Sequence, residues 1–257
     1  MEAIKLTSAG ETNKNVKNNT QRLDKLLSNF GFGSRSEIRW LAKDGAVLVD
    51  GSTVKDASQH VNPIVSRIEV NGELLRYRKF IYVMMNKPAG VISATYDNKL
   101  KTAIDLLPDE FSCFDLFPAG RLDIDTEGLL LLTNDGQLAH NLLSPKKHVP
   151  KKYYALVNGL TTEKDVRLFK EGIVLDDGYK TMPAELEIIR AGQRSEIEVV
   201  LHEGKFHQVK RMFEAVDKSV IYLKRIQMGG LILDEGLKPG ECKELSPEEV
   251  ELLKLKP

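Results

Sequence analysis

Ala119-Gly120-Arg121-Leu122-Asp123-Ile124-Asp125-Thr126-Glu127-Gly128 runs into Leu129-Leu130-Leu131-Leu132 and closes on Thr133-Asn134-Asp135-Gly136. Three carboxylates, Asp123, Asp125 and Glu127, stand two residues apart ahead of four leucines and a turn. Three readings fit such a run. A calcium loop would use its first half, but the twelfth position is Asn134 where a bidentate glutamate belongs, and positions seven to ten are leucines. A glycosidase would set two carboxylates on either side of a sugar, and spacing along the chain does not fix their separation in space. In the plain structural reading the acids shape a turn by accepting local backbone bonds. That suits Asp125 and Glu127, and for Asp123 taken alone it is the default.

Upstream of this stretch, Phe80-Ile81-Tyr82-Val83-Met84-Met85 is an apolar run suited to a buried central strand, ended by turn chemistry at Asn86-Lys87-Pro88-Ala89-Gly90. Downstream, strands are expected at 153–157, 184–189 and 196–201, and helices at 137–143, 162–170 and 208–216. The elements mix without a regular βα repeat or a G-x-G-x-x-G. The pattern predicts an α+β domain over 80–257 with a large, mainly antiparallel mixed sheet flanked by helices and loops.

The N-terminal third reads differently. Residues 1–20 are polar, rich in Asn, Lys and Thr, and without periodicity, so a disordered arm is expected there. Leu23, Leu26, Leu27 and Phe30 then mark one face of a short helix. Ser34 and Glu37 have capping-box spacing for a second helix, which Gly45 can stop. Asp50-Gly51 sits between two short strand-like runs, as in a hairpin. Residues 21–76 thus predict a small module whose exposed positions carry Arg22, Lys25, Arg35, Arg39 and Lys43. These could grip an RNA backbone or could simply be solvated.

Composition narrows the class. A chain of 257 residues with 42% hydrophobic and 29% charged residues is ordinary for a globular protein. Cys113 and Cys242 lie far apart with no Cys/His spacing, so reduced thiols are expected and a zinc site is not. No apolar run reaches the ~18 residues of a membrane span, and the N-terminus lacks a secretory signal, which predicts a soluble, cytoplasmic protein without membrane contact. Net charge is +0, yet 22–79 carries a net of +3 and 234–257 a net of −3, which suits local phosphate contact in the N-terminal part.

The order Arg22-Leu23-Asp24-Lys25-Leu26-Leu27, Gly33-Ser34-Arg35-Ser36 and Gly45-Ala46-Val47-Leu48-Val49-Asp50-Gly51 resembles the RNA-binding domain first known from a small-subunit ribosomal protein. The Gly120-Arg121-Leu122-Asp123 stretch through Gly136 resembles the active-site motif of pseudouridine synthases. It is most like the branch containing ribosomal small-subunit pseudouridine synthase A and its large-subunit relatives. Four further blocks stand in the family's order: Asn86-Lys87-Pro88-x-Gly90, Lys152-Tyr153-Tyr154, Glu203 to Met212, and Arg225 to Gly230 with Leu237 to Gly240.

This resemblance implies isomerisation of a uridine in ribosomal RNA to pseudouridine, without metal or cofactor. The substrate would be the RNA or an assembling small subunit, and the enzyme a monomer. It implies that Asp123 is the essential aspartate, Tyr154 the tyrosine against the target base, and Lys210 the basic partner of the aspartate, where many relatives have arginine. Substrate contacts are expected from Arg121, Lys152, His207 and Gln208, and backbone contacts from the cluster Lys146, Lys147, His148, Lys151 and Lys152. The small-subunit branch is preferred on the His207-Gln208-Val209-Lys210-Arg211-Met212 block. Alternatives are a large-subunit enzyme of the same family, a non-catalytic RNA-binding assembly factor, and a glycosidase.

Overall fold

The computed structural model describes residues 20–254, and the arm expected at 1–20 falls outside the described residues except for Thr20. The chain divides after Lys79 into two compact units, each with its own core.

In the first unit, β1 (Gln21–Arg22) leads into α1 (Leu23–Asn29). Leu23, Leu26 and Leu27 are buried and Phe30 packs against the same cluster, so the apolar i, i+3, i+4, i+7 face is the one that meets the core. α2 (Arg35–Asp44) begins with the expected capping box. Glu37 donates its backbone N–H to the Ser34 hydroxyl at 3.3 Å, and the Glu37 carboxylate accepts from Ser34 N–H at 2.7 Å. Gly45 ends the helix at φ 86°, the left-handed conformation that glycine adopts freely. β2 (Val47–Val49) and β3 (Ser52–Thr53) form the hairpin, with Asp50 and Gly51 both at positive φ, as a two-residue turn demands. β4 (His60–Val61) pairs with β1, while β5 (Ile68–Val70) and β6 (Glu73–Leu74) complete a four-stranded sheet in the order β3-β2-β5-β6.

The second unit is built on a nine-stranded mixed sheet. Its strands are β7 (Tyr82–Lys87), β8 (Phe117–Pro118), β9 (Glu127–Thr133), β10 (Lys151–Asn158), β11 (Glu185–Arg190), β12 (Arg194–Leu201), β13 (Ser219–Met228), β14 (Leu231–Ile232) and β15 (Cys242–Glu244). The main order is β11-β12-β10-β13-β9-β7-β15, with β14 on β13 and β8 on β9. Every pairing in the sheet is antiparallel except β13 with β9, which run parallel through only two residue pairs, Lys224 with Glu127 and Arg225 with Gly128. That short parallel contact joins two antiparallel halves.

The four leucines sit in β9 and alternate. Leu129 and Leu131 join Met84 in one core cluster, and Leu130 and Leu132 join Val83 and Met85 in another. β9 is therefore buried on both faces, which is why its sequence is continuously apolar. Helix α3 (Gly136–Leu143) and α6 (Pro247–Leu252) cover the first cluster through Leu138, Leu142 and Val250. In the other half, α4 (Glu163–Glu171) and α5 (Gln208–Glu214) pack Phe169, Val209, Met212 and Phe213 onto β10 and β12. The expected strands and helices all form, with ends shifted by a few residues. β13, a ten-residue strand at the centre of the sheet, was not foreseen. No helix among the described residues is long and apolar enough to cross a membrane.

Candidate active site

Asp123 lies in the loop that delivers the chain to β9, beside the join between the two halves of the sheet. The loop is fixed from several sides. Leu122 is buried, and it both donates to and accepts from the Ser93 hydroxyl, at 3.0 and 3.1 Å. Thr126 N–H closes a turn on the Asp123 carbonyl at 3.1 Å, and Gly90 N–H reaches the Ile124 carbonyl at 2.7 Å. Beneath it the fully buried Lys87 points its ammonium at the carbonyls of Pro88, Asp123 and Thr126, at 2.9, 3.1 and 2.9 Å. An ammonium has three protons, so these bonds satisfy it. Burial pushes the Lys87 pKa down to about 8, while the charges of Asp125, Glu127 and Asp123 act in the opposite direction. In the sequence Lys87 stands in a turn and in the Asn86-Lys87-Pro88-x-Gly90 block, neither of which gives it a role at the site. A lysine closing a buried apolar strand was the available signal, because such a charge survives only where polar atoms converge on it.

α5 supplies the other side of the site. Lys210 Nζ is 3.4 Å from Asp123 Oδ2 and donates to Asp125 Oδ1 at 2.6 Å. Burial opposes charge on Lys210, but the Asp125 hydrogen bond and the fields of Asp123 and Asp125 outweigh it, and its pKa stands above the usual lysine value. The Lys210 hydrogen bond holds the Asp125 carboxyl below its usual range. His207 Nε2 is 3.7 Å from Asp123 Oδ1. Gln208 is buried and braces the loop: its carbonyl accepts from Lys205 N–H and its amide donates to Glu203 Oε1, each at 2.8 Å. Gln208 thus faces inward and positions its neighbours.

The three carboxylates do not converge. Asp125 turns to Lys210, and Glu127 accepts from the Tyr222 hydroxyl at 2.7 Å. Among the described residues no group of three His, Cys, Asp or Glu side chains could hold a metal ion, so the calcium loop lacks its ligand set.

The tyrosines separate by strand alternation. Tyr153 packs against both the cluster that contains Leu122 and the cluster that contains Val209 and Met212 of α5, which is the side of Asp123 and Lys210. Tyr154, one residue on, points to the opposite face of β10. There it lies edge-on to Tyr222 with ring centroids 6.3 Å apart, and its hydroxyl pKa is raised by burial and by Glu196. Lys152 shares that opposite face and pairs with Glu198. The structure therefore brings together Asp123, Lys210 and His207, with Tyr153 on their side, and leaves Tyr154 and Lys152 apart from them.

Arg121 is exposed beside Asp123 and makes no ion pair among the described residues. Lys146, Lys147 and His148 are also exposed, but Lys151 is buried and donates to the Val149 carbonyl at 2.8 Å, so it does not face solvent as expected. In the first unit, Lys25, Arg35 and Lys43 are exposed. Arg22 is the N-cap of α1 instead of an exposed helical residue, and it shares the buried Asp24 carboxylate with Arg39 at 2.8 and 3.1 Å. Both arginines keep part of their surface in solvent.

Comparison with known proteins gives a consistent set of relatives. Residues 81–215 match the family model described as RNA pseudouridylate synthase, and residues 21–63 match the S4 domain. An RNA pseudouridine synthase of Bacillus subtilis (strain 168) is 52% identical over 90% of this chain and 98% of its own length. Ribosomal small subunit pseudouridine synthase A of Vibrio cholerae is 40% identical, covering 89% of this chain and 97% of that one. Ribosomal large subunit pseudouridine synthase B of Bacillus subtilis is 39% identical, covering 91% and 96%. A crystal structure of a pseudouridylate synthase superposes with a TM-score of 0.64 at 35% identity, over 90% of this chain and 99% of the other.

Proposed function

Because the chain belongs to the RNA pseudouridylate synthase family, we propose that it converts a uridine of small-subunit ribosomal RNA to pseudouridine, using Asp123 on a nucleotide turned out of the RNA fold. The observation that carries this reading is the Asp123 carboxylate, held in a pinned loop with the Lys210 ammonium 3.4 Å away. That contact places a positive charge beside the carboxylate proposed to act at the ribose.

The reaction breaks the bond between ribose C1′ and uracil N1, turns the base, and rejoins it through C5, which gives up its proton while N1 takes one up. It exchanges no electrons and takes up no outside atom, so side chains suffice. Cleavage leaves an electron-poor sugar and an anionic uracil, and a carboxylate at C1′ serves as nucleophile or as compensating charge. Tyr153 takes the aromatic role beside the base in this reading, because it packs on the side of Leu122 and α5. Tyr154 and Lys152 stay outside the reaction. Turning a uridine out costs a few kcal/mol, and Arg121 is suited to fill the gap or hold a phosphate. Lys25, Arg35, Lys43 and the open edges of Arg22 and Arg39 hold the RNA backbone. All the reacting groups come from one chain, consistent with a monomer acting on ribosomal RNA in the cytoplasm.

Large-subunit ribosomal RNA is the second reading, since the large-subunit synthase B is 39% identical where the small-subunit synthase A is 40%. Chemical mapping of pseudouridine in ribosomal RNA from cells lacking this protein decides both questions. One missing modification is expected, in the small subunit, restored by the wild type and not by Asp123→Asn. Restoration by Asp123→Asn rejects the catalytic assignment. A missing position in the large subunit replaces the first substrate with the second.

A further inference from the structure

We infer that Phe206 is a stacking platform for the nucleobase next to the uridine being isomerised, an inference that rests on the reading of Asp123 above. Phe206 is 72% exposed, an unusual setting for a large apolar ring. It is not a loose side chain. Its ring lies parallel to the His207 imidazole, with centroids 3.8 Å apart and planes 18° from parallel. His207 in turn places Nε2 3.7 Å from Asp123 Oδ1. A single ring therefore separates the exposed phenyl from the carboxylate proposed to work at the ribose.

The loop beneath is built to hold this ring outward. Glu203 and Gln208, each 4% exposed, bond to one another at 2.8 Å. Gln208 accepts from Lys205 N–H, and Glu203 accepts from Met182 N–H at 2.9 Å and from the Tyr179 hydroxyl at 2.7 Å. His207 takes a left-handed backbone at φ 48°, uncommon for a residue with a side chain. The anchors sit under the loop, and no core cluster includes Phe206. Strain of this kind, retained to expose an apolar ring beside a reactive group, fits a ligand with a flat face.

A nucleobase is the occupant these features select. Any base offers a π-face to an aromatic ring, and the exposed neighbouring cation Lys205 suits a phosphodiester strand. A protein partner would need a broad apolar patch, whereas the residues before Phe206 are Gly204 and Lys205, both exposed. A base on Phe206 would extend the His207–Phe206 stack and fix the register of the strand, so that the turned-out sugar meets Asp123.

The test uses the full chain and transcripts of small- and large-subunit ribosomal RNA carrying uridine tritiated at C5. Isomerisation releases that tritium to water. Phe206→Leu keeps an apolar side chain without a π-face, and Phe206→Trp keeps the face. We expect Phe206→Leu to lower kcat/KM roughly 5- to 150-fold, mostly through KM, with Phe206→Trp close to wild type. Ultraviolet cross-linking of the Asp123→Asn variant to the same transcripts should yield a nucleotide adduct on Phe206. A change of less than about twofold in Phe206→Leu overturns the inference, as do adducts confined to other segments. Normal tritium release by Phe206→Leu with failed rescue in cells overturns it in favour of a protein occupant. A wild type that releases no tritium from either transcript instead removes the proposed function beneath it.

Discussion

At Lys210 one ammonium serves two carboxylates, and the shorter contact is to Asp125 instead of Asp123. In the proposed function the positive charge is what Lys210 contributes, and the fork of an arginine would supply it with different geometry. Lys210→Arg should keep most activity, whereas Lys210→Met should lower kcat by roughly 10²- to 10³-fold, read as single-turnover tritium release. Lys87 yields a pH prediction. The unfolded chain holds that proton to about 10.5 and the folded chain releases it near 8, so between these values the unfolded state carries more protons. Stability from this group therefore grows as pH rises through that window, and the buried Lys151, also lowered to about 8, acts in the same direction. Loss of the proton takes one donor from the Asp123 loop, so kcat should fall over the same range. A thermal midpoint and a kcat that decline together above about pH 8 would contradict this account.

Among the elements, the parallel contact of β9 with β13 carries the site, and Gly128 permits it. Gly128 has φ 99°, and a Cβ there would meet the Arg225 carbonyl oxygen at 2.2 Å. Since backbone cannot move aside as a flexible side chain can, Gly128→Ala should cost about 2–4 kcal/mol in urea denaturation. Gly136, at the start of α3 with open space where a Cβ would stand, is the control: Gly136→Ala should be neutral or stabilise by up to about 1 kcal/mol. Elements whose signals are local were legible in the sequence, such as the capped α2 and the Asp50-Gly51 hairpin. β13 was not, because it buries Arg225 among its apolar residues, so its period-two pattern is broken by a charge. Arg225 donates to the Leu129 carbonyl across the join, a partner almost a hundred residues away in the chain.

For the whole molecule, two units with separate cores divide binding from chemistry in the proposed function. A chain starting at Phe80 should fold cooperatively and keep its kcat on saturating transcript. It should bind ribosomal RNA transcripts roughly 10²-fold more weakly, with a shallower dependence on salt, as measured by filter binding. Unchanged affinity would remove the first unit from the RNA interface. The sequence by itself pointed to two units, a mainly antiparallel mixed sheet and a candidate acid at 123, the first two through local patterns and the third through the motif that surrounds it. Only the tertiary structure decided that Tyr153 and not Tyr154 shares a side with Asp123, and that Lys151 is buried while Gln208 braces a loop. It also showed Lys210 donating across 85 positions to Asp125, a partner the motif did not name. The reason is physical: a one-residue step along a strand reverses the face a side chain meets, and register and burial are set by pairing between distant segments.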